Sequence, residues 1–268
     1  MKRVLGIVLA SLCLSPLAFA QMPQEWAKAK LAKSPRHQEW VTVKHDGRSI
    51  SCLVVYPESK EKAPAVLLIH EIYGQSDWVQ DEADEVAAAG FIAIEPDLLS
   101  GMGPKGGGTT EIGAAGITAV TKAVSALPPD QVMADLDATA DYIIKDPAAS
   151  GTLYVAGFCW GGGKSFAYAT HRKSLKAAFV FYGAGPKTDL DKIACPVYGF
   201  YAGTDGRIGL TLPDTKKAMD AAGKTYEQVV YDGAGHGFMR LGADPDGTAP
   251  NKKAQAAAWK RWMELMKG

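Results

Sequence analysis

The sequence has 268 residues, with 29 basic and 29 acidic side chains, 47% apolar residues and 4 cysteines. A chain of this length can bury a full core without disulfide cross-links, and this apolar fraction is too high for a disordered chain. The charges balance and no long basic run occurs, which argues against a surface that holds nucleic acid or anionic lipid. We therefore expect a globular protein without nucleic-acid or membrane partners.

The first twenty residues have the three-part pattern of a secretory signal peptide. Lys2 and Arg3 supply a positive start, an apolar run follows, and Ala18-Phe19-Ala20 places small residues before a cut. An uncleaved membrane anchor is the alternative, and it fits less well because Pro16 breaks a run that barely reaches spanning length. We expect cleavage before Gln21 and export to the periplasm or the medium, leaving 27 basic residues, 29 acidic residues and three cysteines.

After a polar lead-in segment over residues 21–40, residues 41–268 are predicted to form a single α/β domain. The predicted strands cover residues 41–44, 50–56, 65–70, 91–94, 153–157, 177–182, 197–201 and 226–231. The predicted helices cover residues 78–89, 131–145, 162–170, 213–222 and 252–267. Opening strands followed by strand and helix in alternation predict a mostly parallel central sheet with helices on both faces.

A glycine-rich segment interrupts this alternation. Residues 101–116 contain seven glycines and no bulky apolar run. Such a composition predicts a mobile loop on the surface. A lid over a substrate is one interpretation of this loop, and a plain connection is the other.

The sequence Gly-Phe-Cys-Trp-Gly at residues 157–161 follows a predicted strand and opens a predicted helix. It has the Gly-x-nucleophile-x-Gly pattern of a nucleophile elbow, with cysteine in place of the commoner serine. The glycines let strand and helix approach closely around a strained turn. Cys159 would then lie at a helix N-terminus, where the peptide dipoles favour the reactive thiolate. A small buried cysteine in a glycine-rich turn is the alternative.

Two further residues complete a candidate triad in the chain order nucleophile, acid, histidine. Asp205 follows the predicted strand at 197–201, and His236 follows the predicted strand at 226–231. The carboxyl ends of parallel strands meet at one edge of the sheet, so these side chains are expected to meet there. In such a triad the histidine takes the thiol proton or forms an ion pair with the thiolate, and the aspartate fixes the tautomer of the histidine. Considered singly, a turn-forming aspartate and a loop histidine are the alternatives.

The loop after the predicted strand 65–70 is expected to help hold the reacting carbonyl oxygen. In a fold of this type it supplies one oxyanion-hole amide, and the residue after the nucleophile supplies the other. The backbone N–H groups of Ile72 and Trp160 are the predicted donors. Glu71, at the end of an apolar strand, indicates either a salt bridge or a role at the thiol. His70 is expected to pack there, because no second residue has the spacing of a zinc ligand.

With these motifs, the sequence resembles the dienelactone hydrolase family of α/β-hydrolases from about residue 41 to residue 267. A cysteine nucleophile combined with a glutamate after the third strand is the most specific part of the resemblance. The segments that carry it are residues 70–74, Pro-Asp-Leu at 96–98, residues 157–162, Gly-Thr-Asp at 203–205 and His-Gly-Phe-Met-Arg at 236–240.

The resemblance implies an α/β-hydrolase fold and cofactor-independent hydrolysis of a small ester or lactone through an acyl-cysteine. It implies that Glu71 contacts the resting thiol until a substrate displaces it. It also implies that Arg240 holds an acidic group of the substrate, and we expect Tyr73 and Phe238 to contact the substrate as well. The second arginine of the family's carboxylate site has no counterpart in Leu-Ser-Gly at residues 99–101.

Other interpretations of the same residues stay open at this point. A thioesterase or another acyl hydrolase would use the same triad, and an exported binding protein could keep the fold without turnover. Neither a metal ion nor another cofactor is expected. Cys52 and Cys195 are predicted either to pair or to remain as buried free thiols. Lys164 and Arg172, on the helix after the elbow, are expected to be solvent-facing charges.

Overall fold

The computed structural model describes residues 24–268, in which eight strands form one sheet flanked by helices. The strands are β1 (Gln38–His45), β2 (Arg48–Val55), β3 (Ala63–Ile69), β4 (Ile92–Pro96), β5 (Ala149–Phe158), β6 (Ala177–Phe181), β7 (Val197–Ala202) and β8 (Tyr226–Tyr231). The helices are α1 (Glu25–Leu31), α2 (Asp77–Ala88), α3 (Thr109–Gly113), α4 (Ile117–Ser125), α5 (Pro129–Ile143), α6 (Trp160–His171), α7 (Gly206–Gly209), α8 (Leu212–Ala221), α9 (Phe238–Ala243) and α10 (Ala249–Lys267).

The strand order in the sheet is β1-β2-β4-β3-β5-β6-β7-β8. The pairs β1/β2 and β2/β4 are antiparallel, and every other neighbouring pair is parallel. Strands β3 to β8 therefore all end at one edge of the sheet. The predicted α/β class with a mostly parallel sheet is confirmed, and each predicted strand is present with its ends shifted by a few residues.

The packing of β3 shows how the sheet divides the core. Ala65, Leu67 and Ile69 belong to an apolar cluster that includes side chains of α4 and α5. Val66 and Leu68 point the other way and pack with side chains of α2 and α10. A strand that is apolar on both faces is typical of a parallel sheet covered by helices on both sides. The edge that carries the candidate site is thus supported from both faces.

The predicted lead-in segment is part of this packing rather than a separate piece. Helix α1 lies against α2, and Lys30 donates a hydrogen bond to Asp81 at 3.1 Å. Arg36, which follows α1, donates two hydrogen bonds from its guanidinium to the carboxylate of Asp84. A helix of seven residues with one buried side chain has almost no periodic pattern, so sequence analysis missed it. Its contacts with α2 stabilise it instead.

The glycine-rich segment at residues 101–116 is more ordered than predicted, because α3 lies within it. The backbone N–H and the hydroxyl of Thr109 each donate a hydrogen bond of 2.7 Å to the carboxylate of Asp97. The Thr109 hydroxyl also accepts the backbone N–H of Gln75 at 3.1 Å. A wholly irregular loop was the wrong expectation, because these buried contacts fix the start of α3. The role of a lid stays a prediction.

Cys52 and Cys195 are both buried free thiols. Cys52 lies on β2 and Cys195 lies just before β7, which are the second and seventh strands in the sheet order. Several strands therefore separate the two sulfurs, and the interpretation as a disulfide is wrong.

The predicted signal peptide at residues 1–20 lies outside the residues that the structure describes. Between residues 24 and 268, the helices are all too short or too polar to cross a bilayer. Cleavage and export stay predictions.

Candidate active site

Cys159 occupies the sharp turn between β5 and α6. Its backbone has φ 56° and ψ −113°, in a region that residues with a side chain seldom adopt. Its N–H donates to the carbonyl of Phe181 at 3.0 Å, which ties the turn to β6. A Cβ atom on Gly157 would overlap the carbonyl of Gly161, so glycine is required for strand and helix to approach this closely. The turn places the thiol at the carboxyl edge of the sheet.

The side chains of Cys159, His236 and Asp205 form one hydrogen-bonded line. His236 Nε2 lies 3.0 Å from Cys159 Sγ, and His236 Nδ1 lies 2.5 Å from Asp205 Oδ2. The other oxygen of Asp205 accepts the backbone N–H of Ile208 at 3.2 Å. Asp205 is buried and His236 is partly exposed. The structure thus brings together the three residues of the predicted triad, from the loops after β5, β7 and β8.

Contacts between these loops hold the histidine in place. The hydroxyl of Thr204 donates to the carbonyl of Ala234 at 2.8 Å, which links the loop after β7 to the loop after β8. The backbone N–H of Gly235 donates to Asn251 Oδ1 on α10 at 2.9 Å. Thr204 and Gly235, which precede Asp205 and His236 in the chain, are therefore held by hydrogen bonds to neighbouring segments.

The surroundings of Cys159 act in opposite directions on the ionisation of its thiol. Burial raises the pKa of this thiol to about 12, and the negative charge of Glu71 adds to the effect. The backbone N–H groups of Trp160 and Ile72 hydrogen-bond the sulfur and act to lower the pKa, as does the charge of Arg207. The predicted preference for a thiolate stays a prediction, since the backbone N–H of Trp160 acts in its favour and burial acts against it.

A buried ion pair flanks the thiol on its other side. Arg240 Nε donates to Glu71 Oε2 at 2.6 Å, and the two side chains are 9% and 2% exposed. The ring centroid of Tyr73 lies 5.2 Å from Arg240 Cζ. Burial acts to lower the pKa of Arg240, but the charge of Glu71 raises it above its usual value. The arginine stays positive, and the pair is neutral as a unit.

This ion pair differs from what the resemblance implies. Within the described residues, no hydrogen bond joins Glu71 to Cys159, and Glu71 Oε1 is buried without a partner. The thiol instead contacts His236, so the expected contact between glutamate and resting thiol is absent from this conformation. Arg240 is buried and donates from Nε to Glu71, and its expected contact with an acidic group of the substrate stays a prediction.

Tyr182 is a residue of this edge that sequence analysis missed. It follows β6 directly, is fully buried, and has φ 42°. Its ring centroid lies 5.1 Å from that of His236, and its hydroxyl has no hydrogen-bond partner among the described residues. Burial, with the charge of Glu71, raises the pKa of Tyr182 well above its usual value. Its position directly after an apolar strand was the one available signal.

Phe238 does not lie where a substrate could reach it. It is fully buried, and its ring centroid lies 5.2 Å from the rings of Tyr182 and Tyr231. The predicted contact between Phe238 and the substrate was therefore wrong in this conformation. The Phe238 ring packs against the ring of Tyr182.

Trp160 forms a wall beside the thiol. Its ring stacks on buried His70 with centroids 5.6 Å apart, and Lys164 Nζ lies 5.0 Å from its centroid. Lys164 is half-buried rather than solvent-facing, and burial lowers its pKa. His70 Nδ1 donates to the carbonyl of Glu71 at 2.7 Å, and burial lowers the pKa of the ring. Residues 24–268 contain no group of three or more His, Cys, Asp or Glu side chains that could hold a metal ion.

Comparison with known proteins identifies relatives over most of the chain. The model of the dienelactone hydrolase family matches residues 50–268. A protein of Methylorubrum extorquens, assigned by name to the carboxymethylenebutenolidases, is 35% identical in an alignment 213 residues long that covers 74% of this chain and 69% of that protein. A protein of the same name from Saccharolobus solfataricus is 31% identical in an alignment 252 residues long that covers 81% of this chain and 93% of that protein.

A solved structure shares the fold as well. The crystal structure of a protein from Klebsiella pneumoniae subsp. pneumoniae, named as a dienelactone hydrolase, has a TM-score of 0.73 and 27% sequence identity. The superposition covers 85% of this chain and 97% of that protein. The chain belongs to the dienelactone hydrolase family, within the α/β-hydrolase superfamily.

Proposed function

We propose that this protein hydrolyses an ester or a lactone through an acyl-cysteine intermediate. The observation that carries the proposal is the hydrogen-bonded line from Cys159 Sγ through His236 to Asp205, with separations of 3.0 Å and 2.5 Å. The names of the relatives, which refer to a butenolide lactone, support this class of bond.

The first step forms the bond between sulfur and carbon. His236 Nε2 takes the proton of the Cys159 thiol while the sulfur attacks the substrate carbonyl, and the carbonyl oxygen becomes an oxyanion. Asp205 accepts the Nδ1–H of the ring, fixes the tautomer that leaves Nε2 free, and stabilises the imidazolium that forms. His236 is needed as the base because the pKa of the thiol is about 12 at rest.

The backbone N–H groups of Ile72 and Trp160 are the proposed oxyanion donors. Both already hydrogen-bond the sulfur, so an oxygen on the attacked carbon, two bonds from the sulfur, would lie within their reach. A donor of this kind typically contributes about 3 kcal/mol to stabilisation of the transition state.

The second half of the reaction releases the acid. The carbon–oxygen bond of the ester breaks, and the imidazolium of His236 gives its proton to the leaving oxygen. In a lactone that oxygen stays joined to the acyl group. Water then attacks the thioester carbon, gives one proton to His236, and expels the sulfur, which regains its proton from the ring. The reaction needs no cofactor, since the proton that the thiol gives to the leaving oxygen is replaced by one from water.

Hydrolysis of short p-nitrophenyl esters by wild type and Cys159→Ala tests this proposal. We expect the variant to lose turnover, and mass spectrometry of quenched wild type to show the acyl group on Cys159. Equal turnover by both proteins would remove Cys159 as the nucleophile. A panel of p-nitrophenyl esters, dihydrofuranones and acyl thioesters then separates an esterase or lactonase from a thioesterase, because one triad serves all three bonds.

We also propose that the protein is exported. The pattern of the first twenty residues supports this location, with Gln21 as the first residue after cleavage. Sequencing the N-terminus of protein purified from the periplasm or medium tests it. A start at Met1 in the cytoplasm would contradict the proposal.

A further inference from the structure

A cavity of about 160 Å³ lies between α1, α2, α9 and α10, and none of the described residues that line it belongs to the proposed triad. The carboxyl groups of Asp81, Glu82 and Glu85 line this cavity. Among the described residues in its wall, Lys30 is the one base. Three acids and one base therefore share a small space, which leaves the cavity short of positive charge.

Lys30 serves two of the three carboxyl groups. Its Nζ lies 3.1 Å from Asp81 Oδ2 and 2.8 Å from Glu85 Oε1. One positive charge thus faces two carboxylates before Glu82 is counted. The other oxygen of Asp81, Oδ1, is buried and has no hydrogen-bond partner within the described part of the chain.

Glu82 is the least satisfied of these acids. Its side chain is buried, with 3% of the residue exposed, and its Oε1 has no hydrogen-bond partner among the described residues. Native folds rarely leave a buried carboxyl oxygen unpartnered, so such an oxygen in a cavity wall indicates a missing partner. Because the group is an acid, the partner that suits it is a donor with positive charge.

The rest of the wall suits an organic cation. Trp259 and Gln255 of α10 both line the cavity, and both are partly exposed. The face of an indole ring attracts a cation, and the amide oxygen of a glutamine can accept an N–H. Residues 24–268 offer no group of three or more His, Cys, Asp or Glu side chains that could hold a metal ion, so a bare divalent ion is not the expected ligand.

We propose that this cavity binds a small organic cation with N–H donors, such as an alkylguanidinium or a primary ammonium, beside Glu82 and Asp81. The donors would meet the two unpartnered carboxyl oxygens, and the charge would offset the excess of acid over base. This site is separate from the proposed hydrolysis, so its test does not depend on a substrate.

Calorimetric titration of the purified protein with methylguanidinium tests the proposal. N-methylurea is the matched control ligand, since it has nearly the same shape without the charge. We expect methylguanidinium to bind with a Kd of about 1 mM, as suits a ligand of so few atoms, and N-methylurea to give no binding. Methylammonium and magnesium chloride are titrated in parallel. Failure of both organic cations to bind, or binding of magnesium alone, would overturn the proposal.

Proton release supplies a second readout. Burial, with the charges of Asp81, Glu85 and Glu71, raises the pKa of Glu82 to about 8, whereas the charge of Lys30 acts to lower it. A cation favours the ionised carboxylate, so binding should release a proton below this pKa and should tighten about tenfold from pH 7 to pH 9. Over this range the other acid of the proposed contact stays ionised, because the pKa of Asp81 is about 6. Titration in two buffers of different ionisation enthalpy counts the protons, and uptake of a proton would contradict the assigned contact.

Glu82→Gln keeps the size of the side chain and removes its ionisation. We expect this variant to bind methylguanidinium at least about fivefold more weakly at pH 9, and to release no proton on binding. Asp77→Asn, which removes an acid from the first turn of the same helix outside the cavity, is the control and should match wild type. Wild-type affinity and proton release in Glu82→Gln, or equal losses in both variants, would overturn the proposal.

Lys30→Gln provides a test that does not depend on a buried substitution. The Lys30 side chain is about half exposed, and it is the cation that now neutralises part of the cavity. Its removal should tighten the binding of methylguanidinium about threefold, because one competing positive charge is gone. Weaker binding in Lys30→Gln would contradict the electrostatic basis of the site.

Discussion

The two sides of the thiol are built from different kinds of contact. On one side, the loops after β7 and β8 are short, and they bring Asp205 and His236 to the sulfur in a line that can move a proton. On the other side, the loop after β3 holds the Glu71–Arg240 pair and contacts the glycine-rich segment through Thr109. In the proposed mechanism the first side supplies the reactivity, whereas the charge of Glu71 on the second side raises the pKa of the thiol.

Removal of the proposed base, His236, should have the largest effect, because transfer of the Cys159 proton depends on it. We expect His236→Ala to lower kcat for ester hydrolysis at least ~10³-fold, as in other nucleophile–histidine pairs. His37→Ala, which removes an exposed histidine before β1, is the matched control and should keep wild-type turnover. If kcat fell less than tenfold in His236→Ala, the proton would have to move by another route.

Glu71→Gln tests the other side and should affect both stability and reactivity. It leaves Arg240 buried without its carboxylate partner, which we expect to cost about 3 kcal/mol of unfolding free energy in urea titrations. It also removes a negative charge that raises the pKa of Cys159, so that pKa should fall. The pH dependence of the iodoacetamide rate measures this shift. A pKa that rose in the variant would contradict the assigned electrostatics.

Thr109→Val breaks the contact between the glycine-rich segment and the loop after β3. The change removes the hydroxyl that donates to Asp97 and accepts the backbone N–H of Gln75. We expect the free energy of unfolding to fall by about 2 kcal/mol. Hydrogen exchange should quicken in α3 before it quickens in the sheet. Thr109→Ser keeps the hydroxyl and should retain wild-type protection. Uniform acceleration in all elements would show that the segment does not open separately.

Phe238→Leu should have the smallest effect, because this ring lies behind the first side rather than in the site. We expect a loss of about 1 kcal/mol in stability from the change of shape in the core. KM for neutral esters should remain within about twofold of wild type, since no substrate reaches the ring. A several-fold rise in KM at unchanged stability would instead support the contact between Phe238 and the substrate that the sequence predicts.

The long regular elements could be predicted from the sequence, but the short ones could not. All eight strands and five of the six helices with nine or more residues were predicted, and the exception is α4, which has nine residues and follows the glycine-rich segment. Helices α1, α3, α7 and α9, of four to seven residues, have too few turns to show a stripe, and tertiary contacts stabilise them. The glycines around Thr109 concealed a helix whose start is fixed by Asp97.

The same division holds within the candidate site. The positions of Cys159, Asp205 and His236 follow from motifs and from strand ends, both of which are local in sequence. Whether Glu71 turns toward the thiol or toward Arg240 is a choice between side-chain orientations, which no local pattern records. The pKa of the thiol depends on burial by several loops at once, which a motif around Cys159 cannot report.

The packing of the elbow has a consequence for redesign. A Cβ atom at Gly161, Gly162 or Gly183 would overlap main-chain atoms of neighbouring segments, as it would at Gly157. Serine in place of Cys159, by contrast, exchanges one reactive atom and leaves the main chain untouched. The frame around Cys159 is therefore rigidly specified, so a redesign that changes the atom at its side-chain tip should preserve the turn.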